Sequence, residues 1–200
     1  MRKNMLNWVA CLGLLMGGFQ TASAQEQEEA PKYHLGVRVG YAETNVRHDF
    51  HLDGHSDRNC QSFMGGVNFD VRLNSKPLYL ETGLYGSNRG VDVRDGSRRY
   101  TQNNFSLLVP ALISYHFYPT YDLGINPFGG PFAAYNFGFD KVDYGLRFGV
   151  GVNYKQVGLN LGIDWGMKDN LFYNKDGYYE NDGNLFSFFV TLGWNFLGNR

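Results

Sequence analysis

Cysteine is nearly missing from this chain: among 200 residues only Cys11 and Cys60 occur. A disulfide framework is thereby excluded, and whatever holds the fold is non-covalent. Neither sign of charge dominates, with 18 Lys and Arg against 19 Asp and Glu and a formal net charge of −1. Such a balance supplies no basic field for nucleic acid, so no nucleic-acid partner is expected. Long hydrophobic runs are absent too. The one apolar stretch, near the N-terminus, is about ten residues long, against the roughly 20 that a spanning helix needs.

That stretch has its own meaning. Arg2 and Lys3 precede it, and the small residues Ala22 and Ala24 follow it. Together they make the pattern of a secretory signal peptide over residues 1–24, cleaved after Ala24. Cys11 lies inside the apolar stretch and not at its exit, which disfavours a lipid-modified cysteine. Residues 25–32, "QEQEEAPK", read as a flexible acidic leader.

From Tyr33 onward the dominant signal is alternation with a period of two, the mark of strands with two unlike faces. In "YHLGVRVGYA", Tyr33, Leu35, Val37, Val39 and Tyr41 oppose His34, Gly36, Arg38 and Gly40. "SFMGGVNFDVRL" sets Phe63, Val67, Phe69, Val71 and Leu73 against Asn68, Asp70 and Arg72, and "LYLETGLYG" sets Leu78, Leu80 and Leu84 against Glu81 and Gly83. "FSLLVPALISYHF" places Phe105, Leu107, Val109, Ala111, Ile113, Tyr115 and Phe117 on one face, with Pro110 marking a bulge or break. "NPFGGPFAAYNF" has two nearly equal faces and gives no register. "YGLRFGVGVNY", "VGLNLGIDWG" and "LFSFFVTLGWNF" restore the pattern, which makes eight strands.

The two faces decide which solvent the strands meet. No charged residue falls on the apolar face of any run, and the opposite face is rich in Gly and Asn with isolated Arg, Asp and Glu. A soluble sandwich would carry Lys, Glu, Ser and Thr outside. Small residues with sparse charges suit the crowded inside of a narrow barrel, so the apolar face looks outward into lipid. Tyr33, Tyr41, Tyr115, Phe117, Tyr154, Trp165, Trp194 and Phe196 fall near strand ends, as interfacial girdles require. Connections alternate between long and short, with short turns expected on the periplasmic side. The fold expected for residues 33–196 is therefore all-β, an eight-stranded antiparallel up-and-down transmembrane β-barrel in the outer membrane of a Gram-negative bacterium, with residues 197–200 as a C-terminal tail.

The runs "SLLVPALISYHF", "NPFGGPFAAYNFGF", "YGLRFGVGVNYKQVGLNLGIDWGMKD" and "FFVTLGWNF" resemble the small PorT-like or porin-family outer-membrane barrels of Bacteroidetes bacteria. The resemblance implies insertion by the outer-membrane assembly machinery, which reads an aromatic-rich last strand. It supplies no substrate.

Three groups of residues are candidate sites. Arg38, Arg72 and Arg147 point inward with Asp70, Glu81 and Asp164, and buried charges of both signs should pair into a lumen network that plugs the barrel. Phe172, Tyr173, Tyr178 and Tyr179, set among Asn and Asp in the last long loop, can stack on a glycan or grip an extracellular protein. His48, His51 and His55 lie in "RHDFHLDGHSDRNC", a density of imidazole and carboxylate able to bind zinc or copper, although their spacing matches no established metal motif. A catalytic reading has little to rest on. Ser114 and His116 share the inward face, but alternate strand residues are about 7 Å apart and do not make a ready nucleophile and base. No catalytic residue and no cofactor are expected. The expected role is structural or partner-binding through extracellular loops; a small-pore transport barrel is the alternative.

Overall fold

The computed structural model describes residues 32–48, 55–58, 60–74, 77–89, 91–95, 98–102, 105–120, 122–138, 141–168, 172–173, 180–181 and 183–198. The expected signal peptide and the leader as far as Pro31 lie outside the described residues, as do His51, Tyr178 and Tyr179. Among the described residues thirteen strands follow one another: β1 (Tyr33–His48), β2 (His55–Arg58), β3 (Cys60–Arg72), β4 (Leu78–Asn88), β5 (Val91–Asp95), β6 (Arg98–Gln102), β7 (Phe105–Tyr115), β8 (Leu123–Asn136), β9 (Lys141–Tyr154), β10 (Val157–Gly166), β11 (Phe172–Tyr173), β12 (Glu180–Asn181) and β13 (Gly183–Gly198). Among the described residues no helix occurs.

Eight of these strands close a barrel in the order β1-β13-β10-β9-β8-β7-β4-β3, every pair antiparallel and β13 sealing against β1. Sequence neighbours are spatial neighbours all the way round, which is the up-and-down arrangement expected from the alternation. Closure satisfies the backbone without leaving an edge, the condition for crossing hydrocarbon. The strand β13 runs to Gly198, so it takes in the first two residues of the expected tail.

The outward faces are the apolar ones. On β13, Phe186, Phe188, Leu192, Trp194 and Phe196 are exposed, while Leu185, Ser187, Phe189 and Thr191 are buried. On β9, Phe148, Val150, Val152 and Tyr154 are exposed on the side opposite buried Arg147 and Gly151. Tyr33, Tyr115, Phe117, Tyr154, Trp194 and Phe196 ring one end of the barrel on its outer surface. The segment without a register from sequence is β8, which turns Asn126, Phe128, Phe132, Ala134 and Asn136 inward and Pro127, Pro131, Ala133 and Tyr135 outward.

Short connections gather at one end, across residues 73–77, 116–122 and 155–156. The tightest, the two-residue turn after Tyr154, needs a positive φ and takes it at Lys155 (φ 54°). The other end carries the longer excursions, together with the short link at 137–140. Two of them build a three-stranded sheet, β2-β5-β6, in which β5 and β6 pair from Val91↔Gln102 to Asp95↔Arg98. In the last excursion β11 pairs with β12 through Phe172↔Asn181 and Tyr173↔Glu180. Short turns face the periplasm in barrels of this kind, so these extra strands stand on the extracellular side.

Candidate functional site

Inward side chains fill the lumen in layers. At the extracellular end Arg89, just past β4, turns into the barrel and donates from Nη1 to Asp143 Oδ2 at 3.0 Å, and both side chains are almost fully buried. Ser106 Oγ donates to Asn136 Oδ1 at 2.5 Å, and the Thr44 and Ser187 hydroxyls lie 2.8 Å apart. The last two contacts tie neighbouring strands together at the barrel's upper rim, whereas Arg89 reaches from the end of β4 past β7 and β8 to Asp143 on β9.

Below them the lumen is apolar. Ala42, Met64, Tyr85, Leu108, Leu112, Phe128, Phe132, Ala134 and Phe189 form one buried cluster. The inward glycines make room for its rings: a Cβ at Gly162 would stand 2.5 Å from Phe189 Cζ, and Gly149 underlies Phe128 in the same way. Large rings over small neighbours fill a tapered interior that large side chains on every strand could not share. Against this cluster sits Arg147, whose Nε and Nη2 donate to Asp164 Oδ1 and Oδ2 at 2.6 and 2.8 Å. Its guanidinium faces the Phe189 ring at 4.4 Å and the Tyr85 ring at 5.5 Å. A planar fork meeting a carboxylate on the adjacent strand is the strongest ion-pair geometry available, and the ring faces add attraction.

The periplasmic end is polar again. The register sets His34 beside Asp70 and Asp70 beside Glu81 on three consecutive strands. His34 Nδ1 lies 3.9 Å from Asp70 Oδ2, and His116 Nε2 lies 3.4 Å from Glu81 Oε1. Tyr79 stacks on His116 at 4.0 Å between centroids and on His34 at 5.5 Å. Arg38 has Tyr85, Glu81 and Asp70 as its electrostatic neighbours, and Asn68 Nδ2 reaches Asn195 Oδ1 at 3.5 Å. Arg72 is half-buried near the end of β3, opposite Tyr79.

The six charges expected to form one network are thus divided by height. Arg147 and Asp164 pair with each other; Asp70 and Glu81 lie within 3.9 and 3.4 Å of His34 and His116, with Arg38 above them and Arg72 at the rim. Sequence reasoning missed Arg89 with Asp143, and it missed the apolar cluster. The second had a visible signal, because Leu107 with Leu108 and Phe188 with Phe189 break strict alternation and put one apolar residue of each pair inside.

Ser114 and His116 require a correction. Ser114 Oγ lies 3.0 Å from His116 Nε2, although the two residues are alternate positions. The 7 Å or so of strand rise separates backbones, and the two side chains lean together across it. The contact is still unlike a nucleophile with an oriented base, because Glu81 approaches the same Nε2 while Nδ1 faces the Tyr118 hydroxyl at 3.4 Å. Ser114, His116 and Glu81 are buried.

The loop candidates are only partly in view. Phe172 and Tyr173 lie on β11, and His48 and His55 lie at the end of β1 and the start of β2. His51, Tyr178 and Tyr179 lie outside the described residues. Among the described residues no three of His, Cys, Asp and Glu are grouped closely enough to hold a metal ion.

A closed barrel with an apolar outer belt, aromatic rings at its ends and a packed lumen defines an integral β-barrel of the outer membrane. A solved structure agrees on the fold, and others share a weaker likeness. The outer membrane protein OprG from Pseudomonas aeruginosa superposes with a TM-score of 0.55 at 14% identity, covering 86% of this chain and 99% of that one. A de novo designed transmembrane β-barrel gives a TM-score of 0.44 at 16% identity, covering 86% and 99%. Neisserial surface protein A gives 0.43 at 13% identity, covering 81% and 97%. No protein-family model and no curated protein sequence matches the chain.

Proposed function

We propose that the protein serves the outer membrane through its extracellular segments, which bind a protein or glycan partner, while the barrel is a non-conducting and non-enzymatic anchor. The observation that carries this reading is the packed lumen: an apolar cluster at mid-height lies between the Arg89–Asp143 pair and the Asp70, Glu81 and His116 group. Eight strands leave an interior that side chains fill, whereas aqueous channels belong to barrels of about 16 strands. The β2-β5-β6 sheet and the β11-β12 hairpin put ordered backbone beyond the membrane, and Phe172, Tyr173, Tyr178 and Tyr179 are the candidate contact residues. The strand runs quoted above support placing the chain with the PorT-like or porin-family barrels of Bacteroidetes.

Purified protein in planar bilayers should show no stable openings. Large, persistent conductance steps would refute the closed anchor and favour the transport reading. Replacing residues 91–104 or 169–182 by short linkers should abolish capture of a partner from intact cells while the barrel still migrates faster unboiled than boiled. Loss of capture on changing the lumen charges alone, with the loops intact, would count against loop binding.

A further inference from the structure

The barrel wall is not uniform. The β9-β10 ladder runs unbroken through ten pairs, from Val157↔Tyr154 to Gly166↔Gly145, and the β8-β9 ladder through fourteen. On both sides of β7 the ladder is interrupted. Against β4 it passes from Thr82↔Ala111 directly to Tyr85↔Leu108, and against β8 from Pro110↔Phe132 directly to Ile113↔Gly129. The cause is in the sequence: Pro110 stands in the first gap and Pro131 in the second, and neither has an N–H to give. A side chain repairs part of the loss, since Thr82 Oγ1 donates to the Pro110 carbonyl at 2.8 Å.

The lumen does not brace this wall at the same height. Ser106 with Asn136 ties β7 to β8 near the extracellular end, and Glu81 with His116 ties β4 to the segment after β7 near the periplasmic end. Between them the inward residues include Gly83, Tyr85, Leu108, Pro110, Leu112 and Phe132, and among the described residues no ion pair joins these strands at that height. The β9-β10 wall, by contrast, carries the bidentate Arg147–Asp164 pair.

We propose that the β4-β7-β8 wall is a built-in seam at which the folded barrel opens toward the bilayer while the rest of the wall stays closed. Separating strands in hydrocarbon costs chiefly the backbone bonds given up, because apolar side chains lose little on moving from the lumen to lipid. The seam has fewer such bonds to give up at mid-height, and the buried charges that span it, Arg89 with Asp143 and Glu81 with His116, lie at its two ends. Its outer face fits that role, with Thr82, Ala111, Pro131 and Ala133 offering small side chains where other strands carry Phe, Leu or Val.

Hydrogen–deuterium exchange of the full barrel in lipid nanodiscs tests the seam, with β9 and β10 as controls at matched depth. Amides within 82–86 and 108–113 should exchange at least tenfold faster than those within 147–151 and 160–164. Pro110→Val, which returns a donor, should slow exchange in 82–86 at least threefold and leave 147–151 unchanged. Should that variant fail to assemble, Thr82→Val, which removes the side-chain substitute, should accelerate exchange in 108–113 by a similar factor. Equal protection of the two walls in the native protein overturns the proposal, as does a uniform response of both walls to either substitution.

Discussion

Removing the Asp164 carboxylate tests the lumen most severely. Arg147 and Asp164 are nearly excluded from water, with side-chain exposures of 4% and 6%. In Asp164→Ala the guanidinium stays buried without its counter-charge, a loss of about 3–5 kcal/mol. The Phe189 and Tyr85 ring faces are present with and without the carboxylate, so they offset none of this, and the full cost of about 3–5 kcal/mol is expected. Because the surrounding cluster is apolar, removing both charges together should behave differently: Arg147→Met with Asp164→Leu should be neutral or stabilising by about 1–4 kcal/mol relative to the native pair. The assay is a urea titration of protein folded into lipid vesicles, read by tryptophan fluorescence and by the mobility difference between boiled and unboiled samples. The reasoning fails if Asp164→Ala costs less than about 1 kcal/mol, or if the double variant is as unstable as the single one; either result would mean that water reaches the pair.

Depth in the bilayer should grade the cost of an outward charge: Val150→Arg at mid-strand is expected to cost about 2–4 kcal/mol, and Tyr154→Arg at the girdle about 0–1. Equal effects in the same titration would point to an ordinary protein core around the barrel. Gly162→Val should force the Phe189 ring from its seat and destabilise by about 1–3 kcal/mol, and combining it with Phe189→Ala should recover part of that loss. Intact mass of the membrane-inserted protein should show a chain starting at Gln25, the expected product of cleavage after Ala24; retention of Met1 would contradict the export signal.

Much of the fold is legible because a barrel wall has only two environments, and a period of two reads both. Phe186, Phe188, Leu192, Trp194 and Phe196 all face outward as the alternation requires. Where both environments accept the same residue type, the signal vanishes. In β8, Phe128 packs inside while Pro131 and Ala133 face lipid, and no rule of polarity separates them. The lumen was legible in its charges and not in their pairing, because alternation fixes a residue's face and says nothing of its height. Asp70 and Asp164 share a face type, yet one sits beside His34 and the other beside Arg147 only because the strands are staggered. Arg89 escaped notice because it follows a strand, where sequence suggests an exposed loop, and turns back to Asp143.

The pairing of β13 with β1 bears on how the protein comes into being. That ladder joins His48 to Gly183 and His34 to Gly198, the first strand to the last, and no other barrel pairing among the described residues joins strands so far apart in the chain. Nothing short of the whole barrel sequence can therefore close the ring, and until it closes the chain carries two bare edges along an apolar sheet. Such a sheet in water is an aggregation template. The slow, entropically costly step is the encounter of the two ends. A helper that holds the edge of β1 or β13 in the membrane would act on that step alone, raising the yield of folded barrel without changing its final stability.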